Sequence, residues 1–76
     1  MELKNFLENF AEILEDTDAS LVSETTDFKN LEEWDSMVAL SLIAMVDDEY
    51  SVKLTGDDIK TSNTLEKLFN KVKAKI

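Results

Sequence analysis

The chain has no cysteine, so neither a disulfide framework nor a thiolate zinc site staples it. It has no histidine, so a serine nucleophile would lack its usual imidazole base. A single glycine, Gly56, leaves no glycine-rich loop to cradle phosphate. There is no arginine, and eight lysines face 17 acids for a net charge of −9. That balance lacks the basic face that a nucleic acid backbone requires, and no nucleic acid partner is expected. No apolar run approaches the roughly 18 residues of a membrane span. The densest, Met37 to Val46, is interrupted by Ser41. The opening Met1-Glu2-Leu3-Lys4-Asn5 has neither the basic start nor the apolar stretch of a signal peptide. A cytoplasmic protein without membrane attachment is expected. A paired-carboxylate acid/base site needs a pocket that raises one pKa, and a core this small offers little room for one. A non-enzymatic protein follows as the expectation.

What the chain does have is helix-forming material. Its 76 residues suit one domain, 1–76, and 43% of them are apolar. With no proline and one glycine, few residues interrupt a helix, and no strand-like alternation persists. Charge is unevenly spread. Residues 1–62 hold 16 acids and four lysines, whereas residues 63–76 hold Glu66 and four lysines. A basic end of this kind suits the last turns of a helix, where cations complement the macrodipole. High net charge and small size favour a monomer.

The spacing predicts a first helix over 2–15, with Leu3, Phe6, Leu7, Phe10, Ala11, Ile13 and Leu14 on one stripe. A long connection over 16–35 follows, rich in Asp, Ser and Thr, which compete for backbone hydrogen bonds. Leu21, Val22, Phe28 and Leu31 are expected to pin it to the core. A second helix is predicted from Asp35-Ser36 to Tyr50, its inner face formed by Leu40, Ile43, Val46 and Tyr50 with help from Leu42. A short third helix over 55–60 opens on Thr55-Gly56-Asp57-Asp58, a capping-box spacing. A fourth over 63–75 is predicted to start at an Asn63 cap with Glu66 three residues on. Leu65, Leu68, Phe69, Val72 and Ile76 would face inward. The expected fold is all-α: a small four-helix bundle with a long loop between helices one and two and a short third helix.

Ser36 sits where the long loop meets the second helix, within Trp34-Asp35-Ser36-Met37. Two readings compete there. In one, the hydroxyl is the helix N-cap. Alternatively it is a modification site, since unpaired N–H groups and the positive dipole end favour an attached anion. Residues alone leave both open.

Leu31-Glu32-Glu33-Trp34-Asp35-Ser36-Met37 resembles the Asp-Ser-Leu signature of acyl and peptidyl carrier proteins. The setting strengthens the resemblance: the motif follows a long loop and opens a helix. Asp47-Asp48-Glu49-Tyr50, then Gly56-Asp57-Asp58-Ile59, then Asn63-Thr64-Leu65-Glu66-Lys67-Leu68 continue the pattern to the end of the chain. The resemblance implies a four-helix bundle whose Ser36 receives 4'-phosphopantetheine from coenzyme A, through a magnesium-dependent phosphopantetheinyl transferase. Asp35 matches the acid that assists that engagement. The thiol of the arm would carry acyl groups as thioesters in fatty acid, polyketide or related biosynthesis. Partners would be acyl-transferring and acyl-modifying enzymes with basic or apolar docking surfaces.

The resemblance makes the second helix the docking element. Nine of its ten residues from Met37 to Val46 are apolar, more than one buried stripe accommodates. Met37, Val38, Ser41 and Met45 are therefore candidate partner-binding residues, together with Asp47 and Asp48, acids that oppose the dipole at a helix C-terminus. The familiar bacterial fatty-acid carriers keep acids where this chain has Val38 and Ser41, which points to a more specialised pathway. Two other readings compete. One is an unmodified acidic adaptor binding through the same helix. The other is a calcium module at Asp16-Thr17-Asp18-Ala19-Ser20, disfavoured by Leu21 and Asp27 where the loop motif needs Gly and Glu.

Overall fold

A computed structural model describes residues 2–76. The described residues form four α-helices and no strand: α1 (Leu3–Ile13), α2 (Ser36–Tyr50), α3 (Gly56–Lys60) and α4 (Leu65–Ala74). The α1–α2 connection carries two short 3-10 turns, Ala19–Leu21 and Phe28–Asn30. This is the expected bundle with its long loop and short third helix.

The core is assembled from every part of the chain. Phe6, Phe10 and Leu14 enter it from the first segment, Val38, Leu42 and Val46 from α2, and Leu65, Leu68, Phe69 and Val72 from α4. Val52, Leu54 and Ile59 close it near α3, and Phe28 enters from the long loop. Aromatic rings run through it. Phe6 touches Tyr50 and Phe69, while Phe10 meets Phe28 edge-on at 6.1 Å and Phe28 meets Trp34 edge-on at 5.2 Å. These edge-to-face contacts lie within the favourable centroid range for aromatic pairs.

Helix boundaries follow local hydrogen bonding. The first helix ends at Ile13, two residues short of the expected Glu15, because Leu14 turns extended (φ −90°, ψ 132°). At α3 the capping box forms as its spacing predicts. Thr55 Oγ1 accepts from the Asp58 N–H at 3.1 Å, and Asp58 Oδ2 accepts from the Thr55 N–H at 3.1 Å. The α4 cap is Thr64, not Asn63: its hydroxyl accepts from the Lys67 N–H. The long loop sets that start. Its Thr26 and Glu24 carbonyls accept from the Leu65 and Glu66 N–H groups, so Glu66 donates to the loop through its backbone rather than closing a box on Asn63.

Three apolar assignments are corrected. Leu21 lies in a 3-10 turn and is exposed, leaving Phe28, with half-buried Val22 and Leu31, to pin the loop. Ile76 follows the end of α4 and is 71% exposed, having no helix face to sit on. On α2 the buried row is Val38, Leu42 and Val46, at four-residue spacing, and Leu40 is 60% exposed. At 100° per residue Leu40 lies about 200° around from both Val38 and Leu42, on the far side of the helix. Ile43 and Tyr50 pack at the margin of the core.

Candidate functional site

The first turn of α2 divides two tasks between neighbouring residues. Asp35 has extended backbone (φ −153°) and is the N-cap; its Oδ1 accepts from the Val38 N–H at 2.9 Å. Its negative charge also sits at the positive end of the helix dipole. Ser36 is the first helical residue and is exposed. The capping alternative for Ser36 is thus corrected: the cap is Asp35, and the Ser36 hydroxyl is not needed to hold the helix.

The loop ahead of the site is fastened on two sides. The indole of Trp34 lies against Phe28 in the core. The carboxylate of Glu33 accepts from the backbone N–H groups of Glu15 and Asp16 and from the Thr17 hydroxyl. These bonds, the Glu15 N–H foremost, hold the Glu33 carboxyl below its ordinary pKa. A groove of about 330 Å³ lies between the α1 exit and the first turns of α2, lined in part by Ile13, Asp16, Glu33, Asp35, Met37 and Ser41.

The candidate docking residues separate into two groups. Met37, 69% exposed, and Ser41 and Asp48 face solvent, while Met45 and Asp47 are half-buried. With Leu40 and Ala44 they continue a helical row at positions 37, 40, 41, 44 and 48. A second, wider groove of about 750 Å³ runs along this side between Ser41, Ala44, Met45, Asp47 and Asp48. Val38 does not belong there. It is 8% exposed and packs into the core, so it anchors α2 instead of meeting a partner. Asp47 pairs with Lys53 at 2.9 Å on the surface, an ion pair of small energetic weight. Sequence reasoning placed Leu40 inside and so missed it as a surface residue. The signal that could have found it was Ser41: a helix that turns Ser41 outward also turns Met37, Leu40 and Ala44 outward.

In the loop proposed for calcium, the Asp18 carboxylate turns back onto the Ser20 N–H at 2.9 Å, which lowers its pKa. Among the described residues no three His, Cys, Asp or Glu side chains gather as a metal site. No described helix is long and apolar enough to cross a membrane.

A phosphodiester on Ser36 fits this surroundings. The side chain is exposed, the first-turn N–H groups of Ser36 and Met37 have no intrahelical acceptor, and the Asp35 carboxylate is engaged by Val38. Comparison with known proteins gives an independent result. The family described as Phosphopantetheine attachment site matches residues 5–72, nearly the whole chain. No curated protein and no solved structure matches it. Members of the family hold 4'-phosphopantetheine covalently on a serine, are carriers without catalytic activity of their own, and work with phosphopantetheinyl transferase and biosynthetic enzymes. The chain belongs to the phosphopantetheine-binding carrier proteins, the acyl carrier protein family.

Proposed function

We propose that Ser36 is the serine that takes the arm, and that the protein carries acyl groups on the arm's thiol as thioesters during fatty acid, polyketide or related biosynthesis. The observation that carries this reading is an exposed hydroxyl on the first turn of α2 whose capping duty has passed to Asp35. The other serines serve less well. Ser62 is buried and donates to the Asp58 carbonyl at 2.7 Å, and Ser51 is the left-handed C-cap of α2 (φ 55°). Ser41 lies mid-helix, and Ser20 and Ser23 belong to the long loop.

The reaction at Ser36 is performed by the transferase. The Ser36 Oγ forms a bond to the phosphorus nearer the pantetheine of coenzyme A, the pyrophosphate linkage breaks, adenosine 3',5'-bisphosphate leaves, and the hydroxyl proton passes to a base of the transferase. This chain's contribution is presentation. Asp35 fixes the start of the helix and the open surface admits a visiting active site.

Partner choice follows from the outer row of α2. Met37, Leu40 and Ala44 give it an apolar character, with Ser41 where the familiar fatty-acid carriers keep an acid, and Asp48 at its far end. Partners would meet it with an apolar docking surface edged by basic groups. A dedicated polyketide, lipopeptide or cell-envelope carrier fits that surface better than a general fatty-acid carrier. The test is intact mass after incubation with coenzyme A, magnesium and a broad-specificity transferase. One phosphopantetheine is expected on the unaltered chain and none on Ser36→Ala. Refusal by several transferases, or addition that survives in Ser36→Ala, overturns the assignment.

A further inference from the structure

Glu33 stands three residues ahead of Ser36 and spans the long connection from end to end. Its carboxylate lies among acids, with Glu15, Asp16, Glu32 and Asp35 close in sequence or sharing its grooves. Charge alone therefore disfavours it there. Three hydrogen bonds offset that: from the Glu15 N–H, from the Asp16 N–H at 2.9 Å and from the Thr17 hydroxyl at 2.8 Å. All three donors belong to the first residues beyond the α1 cap, where the chain has left the helix and its amides need new acceptors. Hydrogen bonds to an ionised acceptor are the stronger kind.

The consequence is a closed frame around the Ser36 segment. Trp34 is fixed from one side by Phe28, and Glu33 is fixed from the other by the exit of α1. The approach to α2 is held at two points, neither of which is Ser36. Glu33 contributes nothing to the apolar core, which is built from other residues. The α2 helix also has its own supports in the Asp35 cap and the buried Val38, Leu42 and Val46. Losing the Glu33 clamp would free the loop before Ser36 while leaving the bundle folded.

We infer that Glu33 is a positioning residue, clamping the α1 exit to the segment before Ser36 so that the hydroxyl is presented to phosphopantetheinyl transferase in one fixed geometry. The inference rests on Ser36 being the attachment site. Glu33→Ala is expected to lower kcat/KM for arm transfer about tenfold, the size of one lost charge-assisted hydrogen bond. The loss should fall on KM, because a loose segment must be ordered on docking. Amide exchange at Glu15 and Asp16 should quicken, while exchange in the core of α2 and α4 stays slow. Glu33→Gln, which keeps an acceptor oxygen, should recover part of the loss.

The outcomes separate cleanly. If the unaltered chain takes no arm at Ser36, the attachment assignment falls. If it is modified and Glu33→Ala is modified equally fast, only the role of Glu33 falls. Equal losses in Glu33→Ala and Glu33→Gln, with the Glu15 and Asp16 amides still protected in Glu33→Gln, would mean that the transferase reads the charge directly, which also overturns positioning. So would core amides that exchange as fast as those of Glu15 and Asp16.

Discussion

Asp58 joins two helices through one carboxylate, and acid should undo that joint in a definable pH window. Its Oδ2 completes the α3 capping box with the Thr55 N–H and pairs with Lys75 at 2.7 Å. Lys71 reinforces the junction by donating to the Asp58 carbonyl and the Thr61 hydroxyl. The Lys75 bond, then the Thr55 N–H, lower the Asp58 pKa from 3.8 to about 2. That difference sets a ceiling of about 2 kcal/mol of stability at neutral pH. Lys75 is 36% exposed and solvent screens the pair, so about 1 kcal/mol is the working figure. In a domain of this size that moves Tm by about 4–8 °C. The folded pKa is depressed, so the contribution is present above the unfolded value near 3.8 and disappears as pH falls through about 2. Asp58→Asn keeps an acceptor for Thr55 but not the charge. Urea unfolding of the two proteins should therefore differ by about 1 kcal/mol at pH 6, with the gap closing between about pH 4 and 2. Lys75→Met should produce the same gap, and the double variant should not add to it. A gap that stays constant down to pH 2, or additive single variants, would refute the coupling.

The orientation of α2 is tested by paired truncations: Leu42→Ala, at a position with no exposure, should cost about 2–5 kcal/mol, and Leu40→Ala, on the outer row, no more than about 0.5 by urea midpoint. A reversed order would overturn the orientation. Phe28→Ala should cost about 3–5 kcal/mol against a total of roughly 4–11 for a chain of this length. Trp34 emission should shift to the red as its edge-on partner disappears, and a loss under about 1 kcal/mol would contradict the loop's anchoring role.

Local chemistry was legible in the sequence wherever the partners were near neighbours. The Thr55–Asp58 box is a three-residue spacing whose two bonds depend only on each other, and both form. The start of α2 at Asp35-Ser36 was legible too, but the cap is Asp35 and not the Ser36 hydroxyl that the sequence offered for it. The α4 cap moved from Asn63 to Thr64 because the deciding acceptors, Thr26 and Glu24, lie some forty residues earlier in the chain. The orientation of α2 was hidden by a different cause. A helix reveals its buried face by contrast between apolar and polar positions, and nine apolar residues in ten supply almost none. Packing then selected Val38, Leu42 and Val46 and turned Leu40 outward. Glu33 had no signal at all, since two of its three donors are backbone amides, which carry no side-chain identity to read.

The start of α2 shows how the proposed attachment at Ser36 is compatible with a capped helix. A serine acting as N-cap would have its oxygen committed to a backbone N–H, and esterifying it would forfeit a cap worth about 0.5–2 kcal/mol. Here the Asp35 carboxylate holds that N–H instead, so a phosphate on Ser36 displaces nothing. It also arrives where a helix terminus favours an anion by about 0.3–1 kcal/mol, against repulsion from Asp35 that water screens at an exposed position. Asp and Ser at adjacent positions thus answer separate physical demands, one for ending the loop and one for displaying an oxygen. Exchanging them would place the capping carboxylate one residue too late and move the hydroxyl off the first turn of the helix.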